Sequence, residues 1–133
     1  MSAPEANHSM RTPLARARGL GSAKDGVHHW WVQRVTAVAL ALLIPWLLWF
    51  LVSLIGADQD DVRATIANPR YALPLLILVL ALFWHAKLGL QVVIEDYVTT
   101  RWLEIAAQLA VNFACVAGAL TGVLGIARCV FAP

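Results

Sequence analysis

Charge is scarce in this chain. Of its 133 residues only 14% are Asp, Glu, Lys or Arg while 60% are hydrophobic, a balance that excludes an ordinary water-solvated surface. The formal net charge of +2 is too small for a nucleic-acid surface, and the basic residues gather ahead of the first apolar run instead of interleaving with aromatics. Cysteine is scarce too. Cys115 and Cys129 stand fourteen positions apart in or near one apolar run, several helical turns from each other and too far for a disulfide, so both read as small apolar packing residues. There is no Cys-x-x-Cys pair, no Ser/His/Asp set suited to hydrolysis and no glycine-rich loop between a strand and a helix, which excludes hydrolytic and phosphate chemistry. Internal repeats and low-complexity segments are also lacking.

What the chain has is apolar length. Three runs of about 20 residues or more are each long enough, at about 1.5 Å per residue, to cross a hydrocarbon core of about 30 Å. The expected spans are about 32–55, 71–94 and 104–131, giving an all-α membrane protein with three transmembrane helices. Pro45 interrupts the first span, where a missing amide donor favours a kink, and Pro74 falls in the tolerated first turns of the second. Residues 56–70 and 95–103 are expected to be connecting loops. Gly118, Gly122 and Gly125 supply a Gly-x-x-x-Gly pair that favours close helix contact.

Residues 1–27 form a basic, proline- and glycine-containing tail with Arg11, Arg16, Arg18 and Lys24 against Glu5 and Asp25. A mitochondrial transit peptide is the alternative, but no amphipathic repeat runs through the tail, so a retained cytoplasmic segment is expected. Basic residues near the span ends put the N-terminus and the 95–103 loop in the cytoplasm and the C-terminus on the far side. Trp30 and Trp31 stand where an aromatic belt stands.

The second span ends in "HAKLGLQVVIEDYV", His85 to Val98. An ionisable group about nine residues inside a span is costly unless it is paired or functional. His85 is therefore either a neutral histidine bonded to a neighbouring helix or an axial ligand to haem iron. Gly89 lies one turn on, and Asp96 returns to within about 20° of the same face roughly 16 Å further along. Gly89 bares backbone either for a flat ring or for helix packing. Lys87 points about 200° away from His85 and reads as an amine extended to the interface, with a haem propionate or a partner contact as alternatives. Arg34 is a topology anchor or a fork for a propionate, at a depth expected to be near that of Asp96. His28 and His29 read as interfacial, with propionate or partner contacts as the alternative. Glu95, Asp96 and Tyr97 oppose the helix dipole, and a phenol beside a carboxylate suits a quinone carbonyl and the protons its reduction consumes.

These residues carry a family likeness. Together with "HHWWVQRVTAVAL", which opens the first span, the pattern of His85, three residues, Gly89, then Asp96 and Tyr97 resembles the hydrophobic membrane anchor subunits of succinate dehydrogenase. The resemblance covers about Val27 to the end. It implies that His85 is one axial ligand of haem b, and that Tyr97 donates to a ubiquinone carbonyl with Asp96 assisting. Arg34 then lies near the haem propionates and quinone pocket. It also implies three partner subunits: a second anchor of cytochrome b type bringing the other haem ligand, an iron-sulfur subunit and a flavoprotein. The expected location is a bacterial inner membrane, with the mitochondrial inner membrane second. The alternatives are the anchor of a menaquinone-linked fumarate reductase and a purely structural anchor without haem.

Overall fold

The computed structural model describes residues 12–17 and 24–131, and the rest of the expected tail lies outside the described residues. The described residues form five helices: α1 (Pro13–Ala17), α2 (Lys24–Ser53), α3 (Gln59–Ala67), α4 (Pro69–Tyr97) and α5 (Arg101–Phe131). Three stretches are long and apolar enough to cross a membrane, Val27–Ser53, Pro69–Tyr97 and Arg101–Phe131. The all-α, three-span architecture expected from the apolar runs is the architecture found.

The helices run past the apolar runs because polar residues at a membrane boundary still satisfy the helical ladder. α4 continues through Glu95 and Asp96 to Tyr97, and only three residues, Val98 to Thr100, separate it from α5. The loop expected at 56–70 holds a helix of its own. Gly56, at φ +87°, turns the chain out of α2, in the left-handed region that favours glycine. Asp58 then caps α3, its Oδ1 accepting from the Asp61 amide at 2.9 Å. Asn68 closes α3 and caps α4, where Pro69 takes the first position, which needs no amide donor.

α4 is the middle of the molecule. It packs against α2 on one flank and α5 on the other, while α2 and α5 do not meet; α3 lies against α4 and α5. The α2–α4 seam is antiparallel, with Phe50 stacked on Tyr71 (centroids 5.2 Å apart) at one end and Thr36 bonded to His85 further along. The α4–α5 seam depends on absent side chains: a Cβ on Gly118 would run into the Phe83 ring, and one on Gly122 would stand 2.8 Å from Cγ1 of Val79. Gly125 faces open space, so only Gly118 and Gly122 make the close approach. The buried apolar set is small, comprising Leu40, Phe50, Ala72, Leu78, Leu88 and Cys115. At most 17% of the most apolar window of any span is buried within the chain, so an open row of helices presents its flanks to lipid or to other helices.

Candidate functional site

His85 sits half-buried on α4, turned toward α2. Its Nδ1 lies 3.1 Å from Oγ1 of Thr36, and that hydroxyl also lies 2.8 Å from the Val32 carbonyl and 3.1 Å from the Gln33 carbonyl. No other group among the described residues hydrogen-bonds the imidazole, so Nε2 is unclaimed. One turn along, Gly89 lies beside Gln33, whose amide nitrogen would be 3.6 Å from a Cβ built there. That is ordinary contact, so the bare backbone at Gly89 is not a packing necessity. It widens a cleft of about 490 Å³ lined by His29, Trp30, Gln33, Gly89 and Val92.

Two polar atoms in this region are buried without a partner, Nε2 of His29 and Oε1 of Gln33. A buried unpaired polar atom costs about 1–3 kcal/mol, so a pair of them beside a cleft calls for a ligand or a partner chain. Gln33 and Thr36 were missed in reading the sequence, although His29, Gln33 and Thr36 follow a spacing of four and three, one polar stripe on an otherwise apolar helix. The structure lays that stripe against the His85 and Gly89 face of α4.

Arg34 is exposed, and its guanidinium lies 5.3 Å from the centre of the Trp30 ring. The expectation that it shares the depth of Asp96 is corrected by the register. With Thr36 opposite His85 and Gln33 beside Gly89, Arg34 is level with residues 87–88, and Asp96 stands about 13 Å further along the axis. Lys87 also departs from expectation. Its amine lies 5.5 Å from the centre of the Trp84 ring, folded back along α4 instead of reaching for the interface, because in a low-dielectric setting an aromatic face is a worthwhile partner for a cation.

At the end of α4 the three polar residues divide. Glu95 turns to α5, its Oε1 accepting from Nε2 of Gln91 at 2.9 Å and, across the seam, from Nε2 of Gln108 at 3.4 Å. With Lys87 and Asn112, both glutamines line a second cleft of about 310 Å³ between α4 and α5. Asp96 and Tyr97 are exposed, Tyr97 at 80%, and neither bonds the other nor any further described side chain. The chain thus brings His85, Thr36, Gln33, Gly89 and His29 together, while Asp96 and Tyr97 stand apart from them at the helix end. Cys115 and Cys129 are free thiols, as their spacing required.

Comparison with known proteins places the chain in a family. Residues 8–119 match the model of the succinate dehydrogenase/fumarate reductase transmembrane subunit. A succinate dehydrogenase hydrophobic membrane anchor subunit of Rickettsia bellii is 39% identical over 105 residues, covering 79% of this chain and 84% of its own. One from Paracoccus denitrificans is 33% identical over 111 residues, 82% and 86% of the two chains. A succinate dehydrogenase membrane anchor subunit of Reclinomonas americana is 36% identical over 78 residues, 56% and 65%. No solved structure matches the chain. With the family model spanning the whole of α2, α3 and α4 and entering α5, the chain belongs to the succinate dehydrogenase/fumarate reductase transmembrane subunits.

Proposed function

We propose that this chain anchors a succinate:ubiquinone oxidoreductase in the membrane, contributes one axial ligand to haem b through His85, and forms part of the ubiquinone-reduction site through Tyr97 and Asp96. The observation that carries the reading is His85 itself. It is a half-buried imidazole within a membrane span, held through one ring nitrogen and unclaimed at the other. Neutral imidazole is a common ligand for haem iron, and an intramembrane ionisable group is retained for a task.

The surroundings fit the group. Gly89, one turn from His85, opens a cleft of about 490 Å³ lined by His29, Trp30, Gln33, Gly89 and Val92, in the size range of a cofactor site, with His85 adjoining it and not in its wall. Nε2 of His29, buried and unpaired, can donate to a propionate, while the unpaired Oε1 of Gln33 is an acceptor and suits a donor instead. Arg34, near the level of His85, adds a fixed positive charge for the same carboxylates. Bound there, haem b supplies a one-electron redox centre within the bilayer. One imidazole leaves a coordination position open and a row of three helices cannot enclose a macrocycle, so the second ligand and the facing helices come from a second, cytochrome b type anchor.

Tyr97 donates from its phenol to a carbonyl of ubiquinone, and Asp96, next to it in the chain, assists in delivering the two protons that reduction consumes. Both are exposed because an iron-sulfur subunit, carrying electrons from a flavoprotein that oxidises succinate, closes the pocket over them. The basic N-terminal tail sets this face toward the cytoplasm of a bacterial cell, with the C-terminus periplasmic. A pyridine haemochrome spectrum of the purified complex tests the reading. His85→Ala is expected to remove the haem, and an unchanged haem content and absorption band would refute the ligand assignment.

A further inference from the structure

Resting on the reading of His85 as a haem ligand, the contacts of Thr36 decide which nitrogen of the imidazole faces the metal. A threonine hydroxyl has one proton and two lone pairs. Three groups crowd this one: the Val32 carbonyl at 2.8 Å, the Gln33 carbonyl at 3.1 Å and Nδ1 of His85 at 3.1 Å. The two carbonyls only accept. Returning the hydroxyl proton to the carbonyl three or four residues back is the habit of threonine in a helix, and the Val32 contact is the shortest of the three. The proton therefore goes to the backbone, and the oxygen turns a lone pair toward Nδ1. To fill that contact Nδ1 must carry the ring proton, which leaves Nε2 of the neutral imidazole as a bare lone pair. The reverse arrangement, with Thr36 donating to Nδ1, would put the proton on Nε2 and block it as a ligand.

We infer that Thr36 is a positioning residue. It accepts Nδ1–H of His85, fixes the ring as the tautomer with Nε2 free, and so makes Nε2 the iron-binding nitrogen. The branched Cβ stiffens the acceptor, since two helical carbonyls hold the same hydroxyl and side-chain rotation is confined in a helix. Within the span no water competes for the contact. An acceptor on the far nitrogen of a metal-bound histidine raises its basicity, and losing such a partner typically lowers metal affinity about 10- to 100-fold.

The test uses the purified complex with Thr36→Val, Thr36→Ala and Thr36→Ser, beside His85→Ala. Three properties are read: haem affinity on removal and titration, the low-spin ferric electron paramagnetic resonance signal, and the haem midpoint potential. Valine and alanine are expected to weaken haem binding about 10-fold or more. They should also shift the ferric signal and raise the potential, because a less basic imidazole stabilises ferric iron less. Serine, which keeps the hydroxyl, is expected to restore all three. A serine variant that behaves like valine, or valine and alanine variants with wild-type affinity, signal and potential, would overturn the inference while His85 remains a ligand. Haem retained in His85→Ala overturns the ligand reading instead, so the two failures are distinguishable. If valine fails to assemble, alanine and serine still decide the matter by the same readouts.

Discussion

Alanine in place of Gly122 adds one methyl group to the seam between α4 and α5, and the structure fixes what that methyl meets. Its carbon would stand 2.8 Å from Cγ1 and 3.3 Å from Cγ2 of Val79. Carbon atoms rest about 3.5–4.0 Å apart, so the helices must separate by about 0.7 Å or more, or Val79 must leave its preferred rotamer. Overpacking of this kind costs about 1–3 kcal/mol. Against it stands the intrinsic preference of a helix for alanine over glycine, about 1 kcal/mol. Gly125, on the same helix, supplies the control, because nothing lies within 4 Å of a Cβ there and only the propensity gain remains. The two substitutions should therefore move stability in opposite directions, Gly122→Ala down by as much as about 2 kcal/mol net and Gly125→Ala up by about 1 kcal/mol. Thermal unfolding of the detergent-solubilised complex, followed by loss of helical circular dichroism, reads the difference. Equal shifts of the same sign would refute the claim that the Gly-x-x-x-Gly pair is spent on an internal contact.

Two further expectations concern the ends of the helices. Tyr97→Phe removes the phenol at the end of α4; quinone reduction should fall at least tenfold while succinate oxidation by a soluble acceptor persists, and equal loss of both would indicate failed assembly instead. Asp58→Ala removes the side-chain cap that accepts from the Asp61 amide at 2.9 Å, and should destabilise α3 by about 0.5–2 kcal/mol, seen as faster amide exchange over residues 59–62.

The three spans were legible because length is decisive in a bilayer, where every backbone group must be bonded within its own helix. Their ends were less so. Hydropathy falls at Glu95, but hydrogen bonding continues to Tyr97, and the polarity of residues 59–67 suggests a loop where a capped helix forms. The signals for α3 were present as Asp58 three residues before Asp61, and Asn68 followed by Pro69. The stripe of His85 and Gly89 was readable from the helical period alone. Its counterpart was not, since which residue of α2 meets His85 depends on the register between two helices, and no periodicity within one helix sets that. Arg34 shows the consequence: its depth, judged from the apolar boundary, differs from the depth that the Thr36–His85 contact dictates. Lys87 differs, because the Trp84 ring beside its amine is one turn back on its own helix, a pairing that the helical period alone allows.

The position of α4 ties these observations together. α2 and α5 do not meet, so α4 stands between them, with α3 lying against both α4 and α5. One flank bonds α2 through His85, with Gly89 opening a cleft beside it; the other bonds α5 through Glu95 and Gln108, with Gly118 and Gly122 admitting Phe83 and Val79. The α5 contacts are packing against two glycines, which tolerates little sliding, and so they set where α4 sits. The α2 contact is polar, and beside it buried atoms of His29 and Gln33 have no partner among the described residues. The glycine contacts on the α5 side thus hold the helix that carries His85, while the α2 side keeps an unpaired ring nitrogen of His29 and an unpaired amide oxygen of Gln33.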